Sequence, residues 1–402
     1  MIPKHSIYLD YNATTPTHPE VVKAMLPFYK DEYGNASSIH KKGRAAHAAL
    51  EDARSIIGNS LGTESVDIVF TSGGTESNNL AIKGVCFKNR NHGNSASPAG
   101  GHIITSSIEH MAVLEPCKFM QSQGFDLTCV NVDEYGLVDP LDIEKAITDK
   151  TVLVSIMYAN NEIGTIQPIQ EIAEVIKRAN AIRNTHNAPR IYFHTDAVQA
   201  FSKIPLDVET LGVDLLSISA HKLYGPKGVG ALYIRKGTEI VPLLSGGYHE
   251  RGLRAGTENI PAIVGFGKAV LLARKSLNQN KNIEILRDKL YEGLNQKIKD
   301  IKLNGHPTKR LFNTLSVSFK GLNEESIIVN LDLKGIFASA GSACSSGSIE
   351  SSHVLEAMGV SKEWIKSSIR FSLGSSTTDR DISYCLKEVP NIIEHLRSIS
   401  LK

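Results

Sequence analysis

Between about residues 60 and 235, short and almost wholly apolar runs alternate with longer stretches whose apolar residues recur every three or four positions. Val66–Phe70, His102–Thr105, Val152–Met157, Ile191–His194, Leu215–Ile218 and Ala231–Ile234 read as strands. Their lack of polar alternation suits strands covered on both faces. Ile169, Ile172, Val175, Ile176 and Ala179 fall on one face of a helix. This alternation predicts an α/β fold, a mostly parallel sheet wrapped by helices. After Pro261 the texture changes. A helix over 262–277 is followed by a longer one with Leu286, Leu290, Leu294, Ile298 and Ile301 on one face. Strand-like runs Thr314–Phe319 and Ile369–Leu373 and a closing helix from about Thr378 complete a smaller α+β unit. The expected division is an N-terminal segment (1–15) packing with the small unit, a large unit (16–262) and a small unit (263–402). Asn89–Gly101 has the composition of a loop.

A chain of 402 residues accommodates one large and one small unit. Lys+Arg 44 against Asp+Glu 42 leaves a net charge of +2, so no bulk field draws the protein to nucleic acid or to a membrane surface. No run of 18 apolar residues is present to span a bilayer. The chain enters a strand-like run almost at once, so no leader is expected. Cys86, Cys117, Cys129, Cys344 and Cys385 are odd in number, widely spaced and without a C-x-x-C pair. They read as reduced thiols of a cytoplasmic protein, with no metal site.

Candidate chemistry gathers just after strand ends, where open α/β sheets bind ligands. Behind Val66–Phe70, Thr71–Asn78 (TSGGTESN) leads into a helix, and its glycines let main-chain N–H groups converge on an anion. Taken alone, this is also how an ordinary N-capped turn looks. Behind Ile191–His194 stands Asp196, which alone suits a cap equally well. Behind Leu215–Ile218 stands Lys222, between an apolar strand and a glycine-rich turn. An amine partly desolvated there can lose its proton and act as a nucleophile. Together, a phosphate cradle, a strand-end acid and a strand-end lysine are what pyridoxal 5'-phosphate requires: a Schiff-base lysine, an acid on the pyridine nitrogen and a helix terminus for the phosphate.

Nine ordered motifs then carry a resemblance. They are Asp10–Pro16 (DYNATTP), Thr71–Asn78, Glu109-His110, Asn160–Gly164 (NNEIG), His194–Gln199 (HTDAVQ), Ala220–Gly228 (AHKLYGPKG), Arg254–Asn259 (RAGTEN), Gly341–Ser348 (GSACSSGS) and Ser368–Gly374 (SIRFSLG). From residue 8 to about 380 the chain resembles class I cysteine desulfurases of the nitrogen-fixation and iron–sulfur assembly type. The resemblance implies a pyridoxal-phosphate fold type I homodimer with a seven-stranded sheet. It would convert L-cysteine to L-alanine and a protein persulfide, and pass the sulfur to an iron–sulfur scaffold or another acceptor.

The implied roles fall residue by residue. Lys222 bears the cofactor, Asp196 pairs with the pyridine nitrogen, and His110 lies on the ring face and shuttles protons. Gln199 and Asn161 contact the phenolic oxygen and the substrate side. Gly74, Thr75, Ser219 and His221 hold the phosphate, with Thr257 reaching across from the second subunit. Arg370 grips the substrate carboxylate, and Asn35 helps to line the same pocket. Cys344 takes the sulfur. Its Gly/Ser-rich flanks have little to bury and read as a mobile loop, whereas Cys86, Cys117, Cys129 and Cys385 read as small buried residues. The chain closes at Lys402 soon after the last helix, so the scaffold-docking tail of housekeeping members is not expected. Three other readings stay open: selenocysteine lyase, a fold type I aminotransferase, which would share Lys222 and Asp196 but needs no thiol, and a non-enzymatic scaffold.

Overall fold

The computed structural model describes residues 6–90, 100–185, 188–275, 280–341 and 351–400. Its strands are β1 (Ile7–Tyr8), β2 (Ile68–Thr71), β3 (His102–Ser106), β4 (Asp126–Val130), β5 (Thr151–Ser155), β6 (Tyr192–Asp196) and β7 (Leu215–Ser219). They continue with β8 (Gly230–Ile234), β9 (Ile301–Asn304), β10 (Thr314–Phe319), β11 (Ile336–Phe337), β12 (Ser339–Ala340) and β13 (Ser368–Ser372). Seven form one sheet in the order β2-β8-β7-β6-β5-β3-β4, in which β8 runs antiparallel to both neighbours and the other pairings are parallel.

The apolar runs face two cores. Ile68 and Phe70 point into one, against helices Lys41–Leu61, Ile169–Thr185 and Ile260–Lys275, while Val69 between them points into the other, against Gly74–Lys88 and Met111–Ser122. Strand β4 escaped the sequence pattern because it is the sheet's edge and only Val130 is buried. Cys129, expected to be buried, is accordingly exposed there.

A second sheet, β12-β13-β10-β9, is antiparallel, and β1 pairs in parallel with β11 beside it. Its own core takes Ile7 and Leu9 from the N-terminus, Leu290 and Leu294, Val317, Phe371 and Ile393. Helix Ile260–Lys275 still belongs to the first core through Ile263, Phe266 and Val270. The change of core therefore falls between that helix and Asn280–Lys297, one helix later than the change of sequence texture at Pro261. Ile301, expected on the long helix, lies in β9 instead. Asp300, at φ 53°, adopts a left-handed conformation that no helix continues through. Among the described residues no helix is long and apolar enough to cross a membrane.

Candidate active site

At the carboxyl edge of the parallel strands, loops from five strands, the N-terminal segment and β13 enclose a cavity of about 240 Å³. After β2 come Gly74, Thr75 and Asn78; after β3, His110; after β5, Asn161; after β6, Asp196 and Gln199; after β7, Ser219, His221 and Lys222. Arg370 reaches in from β13 and Asn12 from the N-terminal segment. Ten of the expected residues thus meet in one place. Asn35 does not: it is exposed, and its Oδ1 accepts the main-chain N–H of Ser37 in a local turn. Thr257 is also exposed and outside this cavity within one chain. Cys344 lies outside the described residues.

One end of the site is built for an anion. Gly73 takes φ 152°, ψ −178°, a backbone region open to glycine alone, and so starts the helix Gly74–Lys88 directly at the sheet edge. Unpaired N–H groups and about half a unit of positive charge at that terminus face Ser219 and His221. Burial, with Lys222 and Lys227 nearby, pushes His221 down to about 4, so at neutral pH it is an uncharged imidazole. Its Nδ1 lies 3.1 Å from Thr14 Oγ1. Glu76 stands back from the terminus. Burial alone would raise its carboxyl, but hydrogen bonds from Arg254 (2.9 Å) and Ser72 outweigh that and keep it ionised.

On the cavity floor Asp196, 6% exposed, accepts bonds from Asn78 Nδ2 (2.7 Å) and the Val198 N–H (2.9 Å). Asn78 Oδ1 is buried and without a partner. Lys222 Nζ donates to the carbonyls of Asn12 (2.5 Å) and Ala13 (2.9 Å), which draw the amine toward the N-terminal segment. Arg370, 3% exposed, spends its two terminal nitrogens on Asp10 Oδ1 (2.8 Å) and the Asn161 carbonyl (3.0 Å), leaving Nε buried and unpartnered. His110 caps the helix Met111–Ser122: Nδ1 accepts the Ala112 N–H at 3.0 Å. A neutral imidazole that accepts at Nδ1 carries its proton on Nε2.

Three participants were given no role from the sequence, although Asn12 and Glu109 stand in two of the motifs. Asn12 links Asn161, Thr314, Gln199, Lys203, Lys222 and Asn313 through side chain and main chain. Lys203, four residues beyond Gln199, lies in a mostly apolar stretch that gave no sign of it. Glu109, fully buried, accepts from Ser106 Oγ (2.6 Å) and the Met157 N–H (2.8 Å). Burial pushes its carboxyl up to about 8 despite those bonds, so it stays protonated at neutral pH and sets no second negative charge beside Asp196.

The chain belongs to the aminotransferase class-V family, whose model matches residues 7–385. It is similar to the cysteine desulfurase IscS of Dictyoglomus turgidum, 52% identical over 99% of this chain and 97% of that protein. A solved NifS-like protein superposes with a TM-score of 0.88 at 39% identity, over 97% of this chain and 100% of that one. A structure described as SspA in complex with cysteine does so at 0.78 and 39% identity, over 92% and 99%. The fold is pyridoxal-phosphate fold type I, and pyridoxal phosphate is the cofactor. The site fits that group in its chemistry: a helix terminus for a dianionic phosphate, a buried carboxylate for a protonated ring nitrogen, an amine for the aldehyde, and unpartnered buried atoms on Asn78 and Arg370.

Proposed function

We propose that the protein is a cysteine desulfurase that releases L-alanine from L-cysteine and receives the sulfur on Cys344 as a persulfide. An iron–sulfur scaffold or another acceptor protein in the cytoplasm then takes the sulfur. The observation that carries this reading is the convergence of Lys222, Asp196 and Arg370 on one cavity in a chain so similar to curated desulfurases.

Gly74 and Thr75 at the helix terminus, with Ser219 and His221, hold the phosphate, and Asp196 holds the pyridine nitrogen. When bound, the cofactor supplies an electron sink for bonds at the substrate α-carbon. Arg370 takes the substrate carboxylate on its inward edge, with Nε available for it, and Asp10 and the Asn161 carbonyl keep the guanidinium in place. Asn161 and Gln199 line the substrate side. His110 Nε2 holds a proton to deliver as the carbon–sulfur bond breaks. The thiolate of Cys344 attacks the substrate sulfur, the bonding electrons leave with the carbon fragment, and that fragment takes up a proton to become alanine. L-cysteine and a thiol thus become L-alanine and a persulfide, with no external oxidant.

Gly341 and Ser352 meet at one carboxylate, that of Glu162. Ser352 Oγ donates to Glu162 Oε2 at 2.5 Å, and Gly341 packs so closely on the same oxygen that a Cβ there would lie 2.8 Å from it. Glu162 adjoins the cavity residue Asn161. Production of sulfide and alanine from L-cysteine, with a reductant present, tests the activity. An enzyme that transaminates cysteine without releasing sulfur would refute it.

Two results follow for the site. Asp196→Ala is expected to lower kcat roughly a hundredfold while the cofactor Kd rises by less than about tenfold, because the carboxylate acts on developing charge more than on binding. Equal small losses in both would make Asp196 a structural acid. The protein is a homodimer in which Thr257 of each copy completes the other's phosphate cradle. Mixing inactive Lys222→Ala chains with Thr257→Ala chains should then restore fully built sites, one in each mixed dimer. Sedimentation as a fully active monomer would sink this arrangement.

A further inference from the structure

Two lysines converge on Asn12. Lys222 Nζ donates to its main-chain carbonyl at 2.5 Å, and Lys203 Nζ donates to its side-chain oxygen at 3.2 Å. Lys203 also donates to Gln199 Oε1 at 2.9 Å. An ammonium only donates, so the Gln199 oxygen must face Lys203, and its Nε2 turns away to give its proton to the Asn12 carbonyl at 2.9 Å. The orientation of a cofactor-facing amide is thus dictated from behind.

The charges around Lys203 are as unusual as its bonds. Among the described residues it makes no ion pair. Lys222 faces it from the turn after β7, and Arg370 faces it from β13 with its charge already met by Asp10. Both lysines also line a second cavity, of about 310 Å³, whose other titratable residues are Tyr11, His18, Tyr224 and Lys275 and whose lining includes no carboxylate. Burial first, then the charges of Lys222 and Arg370, bring its amine down to about 7.

We infer that Lys203 is a positioning residue of the cofactor site, which orients Gln199 and, as a second cation beside Lys222, sets the acidity of the Lys222 nitrogen. This rests on the reading that Lys222 carries the cofactor. Two like charges sharing one residue's acceptors do not titrate independently, and protonation of either makes the other more acidic.

The test is a visible-absorbance titration of the pyridoxal-phosphate-loaded full chain in wild type, Lys203→Gln and Lys203→Arg. Lys203→Gln keeps a donor for Gln199 and Asn12 but removes the charge, so its midpoint should move up by about one pH unit. The transition should also sharpen toward that of a single proton. Lys203→Arg should stay within about 0.3 unit of wild type. A merely structural role would lower the thermal midpoint without moving the titration. Lys203→Gln titrating like wild type, or Lys203→Arg shifting as far as Lys203→Gln, would overturn the assignment. A second measurement needs no variant: competitive acetylation of the wild type, read by mass spectrometry. Lys203 should react with a midpoint near 7, and titration in the range of a surface lysine would overturn the proposal equally. Neither result depends on desulfurase turnover. Retention of the chromophore by Lys222→Ala would instead refute the underlying role of Lys222.

Discussion

Cys344→Ser protein is expected to purify with its cofactor absorbance intact and to bind L-cysteine, yet to yield alanine and persulfide at least roughly a hundredfold more slowly than wild type. Everything that binds cofactor and substrate stays in place, since the cavity is lined by other residues. What is lost is the nucleophile, because a serine hydroxyl is not ionised at neutral pH and has little affinity for sulfur. No other cysteine is placed to substitute. Burial holds the thiols of Cys86 and Cys117 well above the ordinary range and that of Cys385 up to about 12. Cys129 is exposed but sits on the edge strand β4, away from the cavity, and its thiol too is raised by burial of its surroundings. Mass spectrometry of wild type after a single turnover should place one added sulfur on Cys344. Finding it on any of the other four would end this mechanism.

The second large effect is expected at Lys222. Lys222→Ala should lack the absorbance of covalently attached cofactor and turn over no measurable L-cysteine, a loss of at least about a thousandfold. The remaining cradle, from Gly74 to His221, still offers the phosphate its N–H donors. Added pyridoxal phosphate should therefore still raise the thermal midpoint of this variant, by mass action on the folded state. Binding and attachment are separable in this way only if Lys222 reacts with the aldehyde rather than serving as one more phosphate cation. Full turnover by Lys222→Ala would reverse that assignment.

The central strands were legible because sheet burial leaves a direct trace: six of the seven large-sheet strands are buried at every position, and apolar residues dominate them. Strand β4 left no such trace, with one face to solvent at an edge. The two-residue strands β1, β11 and β12 are too short for any periodicity to register. Ile301 continued the helical spacing perfectly well, since a hydrophobic pattern does not register a single left-handed residue such as Asp300. The site divides in the same way. Lys222, Asp196 and the Thr71–Asn78 turn stand at strand ends, where local sequence and topology agree. Asn12 stands within the DYNATTP motif, but its bonds to Asn313 and to Thr314, 302 residues away, arise only in the fold, as does the bond from Lys203 to Asn12.

The placement of Asn12 also bears on the protein's birth. β1 pairs with β11, and Asp10 meets Arg370 and the Ser372 bridge, all far later in the chain. At synthesis speeds of about 5–20 residues per second, the opening residues must wait roughly 20–70 s for the strand that captures them. The large sheet can meanwhile form its core, and residues 12–15 already find partners there at Gln199, Lys203 and His221. A product of translation stalled before residue 336 would therefore carry a large sheet but leave β1 without its strand and Asp10 without Arg370.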